Sequence, residues 1–162
     1  MTPNYEKQLR FLIEKFPPLP HHFVDVDGGP EAVIEAYNIG ESIPVYTGDS
    51  ENSIWGSPEA NWLLRAHHDS IHLKYGIPFT PLGEYIAAEV SSALAQHLRM
   101  DELALALRAD IAGFAAYQAE HGVFAPQEFA KELVATITRA CLTEVGEKQM
   151  REGPRELDNP GI

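Results

Sequence analysis

Apolar residues recur at helical spacing over most of the chain. Leu9, Leu12, Ile13 and Phe16 share one side of a helix predicted over residues 1–16. The run Pro17-Pro18-Leu19-Pro20 ends it, because proline lacks a backbone donor and restricts the residue before it. From His21 to Pro58 the pattern is irregular, with turns marked at Asp27-Gly28-Gly29-Pro30 and Gly48-Asp49. Residues 31–40 read as one short helix closed by Gly40. Residues 43–46 read as a brief extended stretch, or as one arm of a small hairpin with residues 23–26.

Beyond Pro58 the boundaries sharpen. Ser57-Pro58-Glu59 combines a capping hydroxyl, a proline in the first helical position and an acid favoured by the helix dipole. It opens a helix over 58–74 that stops at Tyr75-Gly76. Thr80-Pro81 repeats the signal for a helix over 81–99. Asp101 caps a third, which runs to His121 and stops at Gly122, and Ala125-Pro126 opens a fourth over 127–147. On that last helix Phe129, Leu133, Ile137 and Cys141 fall on one side. The expected fold is all-α: one domain over residues 1–150, with an irregular wrap (1–57), a four-helix bundle (58–147) and a polar tail (148–162).

Composition narrows the class without naming a function. At 162 residues the chain suits one domain, and a hydrophobic share of 44% is too high for a disordered one. No apolar run is long enough to span a bilayer. MTPNYEKQLR lacks the basic-then-apolar order of a secretory signal, and the single Cys141 allows no internal disulfide, so a cytoplasmic location is expected. A net charge of −12 repels phosphate backbones and anionic membranes, which argues against general nucleic-acid or membrane binding. Cys141, on the apolar side of its helix, is a poor nucleophile candidate.

The segment NWLLRAHHDSIHLKYG carries the chemistry. His68 and His72 are four residues apart and so lie one turn apart on one helix face, with Asp69 at its edge. Two imidazoles so placed suit a divalent metal ion (zinc, manganese, iron, nickel or magnesium), and a carboxylate can complete the site. His67 points about 100° away, so all four cannot bind one ion. Asp110 sits in the middle of an apolar stripe formed by Leu103, Leu107, Phe114 and Tyr117; once buried it needs an arginine (Arg65 or Arg108), a histidine or a metal. Glu84 aligns with Ala88, Ser91, Ser92 and Ala95, small residues that let a neighbouring helix approach, and the histidine helix is the expected neighbour. Glu89, His97, His121, His21 and His22 are weaker candidates.

His68-Asp69-Ser70-Ile71-His72 resembles the His-Asp helix of the HD-type metal-dependent phosphohydrolases. The resemblance implies a metal held within a helical bundle, activating water against a phosphate ester or nucleotide. His68 and Asp69 would match the dyad, Asp110 the downstream acid, and His21 or His22 the upstream histidine. Arg65, His68, Asp69, Phe79, Gly83 and Glu84 are also similar to an Arg-x-x-His-Asp…Gly-Glu pattern in small phage-encoded helical proteins, which supports Glu84 as a site residue.

Two functions from different classes follow. The first is a metal-dependent hydrolase of a phosphate ester or nucleotide. His68, Asp69, His72 and Asp110 would hold the ion, Glu84 or His67 would act as general base, and Arg65 would steady the substrate; a homo-oligomer is left open. The second is a non-enzymatic acidic binding or inhibitor protein whose histidine cluster is structural.

Overall fold

A computed structural model describes residues 4–152. Six helices and one two-stranded sheet follow in the order α1 (Tyr5–Lys15), β1 (His21–Val24), α2 (Gly29–Asn38), β2 (Ile43–Tyr46), α3 (Pro58–Tyr75), α4 (Pro81–His97), α5 (Asp101–His121) and α6 (Phe129–Glu152). The fold is helical, as the apolar periodicity predicts. Residues 153–162 of the expected tail lie outside the described residues. None of the described helices is long and apolar enough to cross a membrane.

Two of the predicted caps appear, at Ser57 and Thr80, whereas Asp101 is the first residue of α5 and Met100 precedes it without a side-chain cap. Ser57 accepts from the Ala60 N–H at 3.2 Å and Thr80 from the Gly83 N–H at 3.2 Å, so each hydroxyl satisfies a donor that the first turn leaves unpaired. Gly76 and Gly122 close α3 and α5 in the left-handed conformation that glycine adopts without strain. Ser57 also donates to Glu6 at 3.1 Å, tying the start of α3 to α1.

The core gathers α1, α3, α5 and α6 around Leu9, Leu12, Trp55, Leu64, Leu103 and Leu107. α4 contributes a face of Ala87, Ala88, Ser91, Ser92 and Ala95, all buried. That face packs most extensively on α5, not on the histidine helix expected from its small residues. α5 also buries small residues, Ala104, Ala106 and Ala109, which share the core cluster with Ala95 of α4.

The N-terminal wrap differs from expectation in one respect. Its two strands are parallel, with His21 opposite Ile43 and Val24 opposite Tyr46, and do not form a hairpin. The link between them contains α2, and a connection of that length reverses the chain twice, which aligns the strands. α6 also departs from the apolar side predicted for it. Leu142, Val145 and Cys141 are exposed because the second half of the helix runs past the bundle. Two contacts bind the proline-rich segment to α3: the Leu19 N–H donates to Ser70 Oγ at 2.8 Å, and Lys74 Nζ donates to the Pro17 carbonyl at 2.7 Å.

Gly83 is the tightest position of the α3–α4 turn. A Cβ added there would fall on the carbonyl of Pro78. Gly83→Ala is therefore expected to lower stability by about 1–3 kcal/mol and to displace the neighbouring Glu84. Denaturant unfolding checks the first effect; wild-type stability in the alanine variant would show that the turn gives way freely.

Candidate metal centre

α3 and α4 bring three side chains to one point. His68 Nε2 lies 3.0 Å from one carboxylate oxygen of Glu84, and His72 Nε2 lies 3.4 Å from the other. One ligand atom from each falls within 4.8 Å of the others, so His68, His72 and Glu84 could hold a metal ion. The helical repeat places the imidazoles one turn apart, with ring centroids 4.6 Å apart and nearly perpendicular. Glu84 arrives from the first turn of α4, which the tight 76–80 connection delivers beside the end of α3.

The same connection fixes His72. Its Nδ1 donates to the Ile77 carbonyl at 3.0 Å, and Phe79 stacks on the ring at 4.2 Å with planes 13° apart. With Nδ1 carrying the proton, Nε2 presents a lone pair toward the Glu84 carboxylate. That nitrogen makes no hydrogen bond, and the His72 side chain is wholly buried. Two acceptors facing one another repel unless a cation or a second proton lies between them. A histidine whose far nitrogen is anchored on a backbone carbonyl is the usual arrangement of a metal ligand.

The charges agree with this reading. Burial alone would raise Glu84, but the hydrogen bond with His68 and the pull of the imidazoles outweigh it and hold its carboxyl at about 2. For His68 burial would lower the value, yet Glu84 outweighs burial and raises it. Without metal, a proton shared between His68 and Glu84 thus supplies the positive charge that the carboxylate needs.

The remaining sequence candidates occupy distinct positions. Asp69 and Asp110 line the same cleft as His68 and Glu84 but stand outside the three-ligand group. Burial pushes Asp69 up to about 6, against the pull of His68 and His72. Burial also pushes Asp110 up to about 6, opposed by Trp55, His68 and Arg65. Arg65 points its guanidinium at three backbone carbonyls, those of Tyr46 and Gly48 at 2.7 and 2.6 Å and that of Asp49 at 3.0 Å. It clamps the loop after β2, which accounts for its donors without a substrate. Arg108 pairs with Glu89 at 2.6 Å and is not the partner of Asp110.

His67 does not share the metal face. It lies in the wall of a separate cavity of about 210 Å³ between α3 and the end of α1, where burial lowers it to about 4. The rotation of one residue along a helix accounts for this, so His67 is not placed to act as base on an ion at His68. His21 bonds the Leu19 carbonyl and His22 bonds Ser42, both on β1 and outside the cluster. His97 packs on Phe16, and His121 packs on Tyr117. The Ile77 carbonyl and Trp55 were not singled out by sequence reasoning. No periodic signal marks a carbonyl in a turn, and Trp55 precedes its helix.

The site opens on a cleft of about 1420 Å³ between the N-terminal wrap, α3, α4 and the α5–α6 turn. Its geometry gives a pH prediction for the metal-free protein. The folded state keeps the Asp110 proton to about pH 6, whereas the unfolded chain releases it near the ordinary 3.8. Stability from this group therefore declines as pH rises between those values. Asp110→Asn should remove the decline and exceed the wild type by about 1–2 kcal/mol at pH 7, after discounting for water at the cleft mouth. The two proteins should be close to equal near pH 4. Denaturant unfolding at both values checks this, and an Asn variant less stable at pH 7 would contradict it.

Comparison with protein-family models, with curated proteins and with solved structures finds no match.

Proposed function

We propose that the chain is a metal-dependent hydrolase with His68, His72 and Glu84 as the ligands of one divalent ion. The observation that carries this reading is the buried His72 Nε2, which faces the Glu84 carboxylate without a hydrogen bond while Nδ1 is anchored on Ile77. A metal ion in that gap replaces the acceptor–acceptor repulsion with two coordinate bonds. Two imidazoles and one carboxylate form a ligand set found in catalytic zinc sites, which keep a position for water, whereas structural sites are closed by four protein ligands. Zinc is accordingly the ion proposed.

When bound, such an ion lowers the pKa of a coordinated water toward ~7 and polarises the bond under attack. Asp69 follows His68 directly on α3 and lines the cleft. Its carboxylate on the cleft wall beside the ligand set is placed to take a proton from water and return it. Glu84 moves from the general-base role expected of it to that of third ligand, because it contacts both imidazoles at once. The likeness of residues 68–72 to the His-Asp segment of the phosphohydrolases supports the same type of reaction, water activated beside a His-Asp pair.

Two results are expected. Zinc at one hundred times its dissociation constant should stabilise the wild type by about 2.7 kcal/mol, and His72→Ala and Glu84→Gln should lose most of that gain. Thermal unfolding with and without zinc, alongside native mass spectrometry, measures it; a wild type that does not bind zinc, manganese or nickel defeats the proposal. Asp69→Asn should retain zinc while hydrolysis of activated ester, amide and phosphate-ester substrates drops roughly 10²-fold or more. Equal rates for variant and wild type would remove Asp69 from the mechanism.

A further inference from the structure

Two of the three proposed ligands, His68 and Glu84, line the cleft, and most of the charged side chains around them are acidic. Asp25, Asp27, Asp49, Glu51, Asp110 and Glu128 line it, in addition to Asp69 and Glu84. Among the described residues, Arg65 is the only arginine or lysine on its walls, and its guanidinium is held by three loop carbonyls. Several of these acids stand on the exposed rim, so their fields reach an approaching ligand. Between them the lining is apolar: Val26 is 72% exposed and Phe124 74% exposed, two large side chains facing solvent at the cleft. The volume, about 1420 Å³, exceeds the roughly 300–1,000 Å³ of ordinary small-molecule pockets.

Apart from the proposed ion itself, a phosphate ester entering this cleft would meet carboxylates on every side, with no free arginine or lysine to offset them. An amide carbonyl carries no net charge and meets no such penalty, and lysine or arginine side chains beside it would be attracted to the walls. A large space with apolar surfaces between acids suits a chain that alternates basic and apolar residues. The acidic lining gains its meaning from His68 and Glu84, which line the cleft and would bring the proposed ion, held from behind by the buried His72, to its wall.

We infer that the substrate of this site is an extended basic polypeptide segment, cleaved at a peptide bond; the inference rests on the hydrolase reading above and replaces the phosphate ester as its substrate. In the reaction, water adds its oxygen to the peptide carbonyl carbon and the carbon–nitrogen bond breaks. Asp69 takes one water proton and delivers it to the departing nitrogen. The second proton leaves as the new carboxylic acid ionises, and no atom changes oxidation state. Asp25, Glu51 and Glu128 act at a distance, attracting the flanking basic side chains.

The test uses the full chain loaded with zinc and three probes: a quenched-fluorescence peptide of alternating lysine and leucine, its counterpart with glutamate in place of lysine, and p-nitrophenyl phosphate. The lysine peptide should be cleaved with a kcat/KM at least tenfold above that of the glutamate peptide, and the preference should shrink as salt is raised. The triple variant Asp25→Asn, Glu51→Gln, Glu128→Gln should raise KM for the lysine peptide several-fold with kcat unchanged, which a merely structural role of these exposed acids would not produce. Zinc-dependent turnover of p-nitrophenyl phosphate with neither peptide cleaved overturns the substrate assignment and leaves the hydrolase reading standing. Equal cleavage of the two peptides also overturns it. Failure to bind zinc removes the hydrolase reading and this inference with it; fluorescence anisotropy of the labelled lysine peptide with the metal-free protein then shows whether the acidic cleft binds basic chains without cleaving them.

Discussion

A carboxylate drawn into the wall of a helical core must be met by positive charge, and in this protein a proton shared with His68 meets Glu84 beside the His72 ring. That meeting is the constraint around which the neighbouring structure is arranged. Charge compensation is strong enough to hold Glu84 at about 2 despite its partial burial, and it raises His68 in return. Remove either partner and the other is left as an uncompensated charge beside apolar side chains, a cost of several kcal/mol in typical buried pairs. The same local electrostatics would favour a divalent cation, which satisfies all three groups at once.

The α3–α4 connection makes the meeting possible. In six residues the chain leaves the C-cap at Gly76, uses the Ile77 carbonyl to anchor His72, lays Phe79 over its ring, and begins α4 under the Thr80 cap. Gly83 must lack a side chain so that this path can pass the Pro78 carbonyl. Only then does the next residue, Glu84, reach the imidazoles. Packing elsewhere supports the arrangement: α4 lies close on α5 through alanine and serine faces, which holds the first turn of α4 in place.

The electrostatic character of the protein is divided between two places. The net charge of −12 is spread along the sequence, yet the fold gathers a share of it along one cleft and directs it at the proposed metal position. Arg65 illustrates how tertiary structure changes a residue's meaning. From sequence it is a cation one turn from Asp69 and a natural anion ligand. In the fold it is a clamp that secures the loop between β2 and α3.

Periodicity, capping residues and glycine stops determined the helical class, the limits of α3 and α5 to within a residue, and the one-turn pairing of His68 with His72. These are local properties, set by the spacing of side chains along a few turns and by the hydrogen-bond needs of helix ends. Tertiary structure decided what that spacing cannot encode. It brought Glu84, rather than Asp69 or Asp110, to the two histidines as the third member of a group that could hold a metal ion, turned His67 to a separate cavity, and set the two strands parallel. It also carried α6 past the bundle and exposed Cys141. Each of these depends on the direction in which one element leaves another, and so on contacts between residues far apart in the chain.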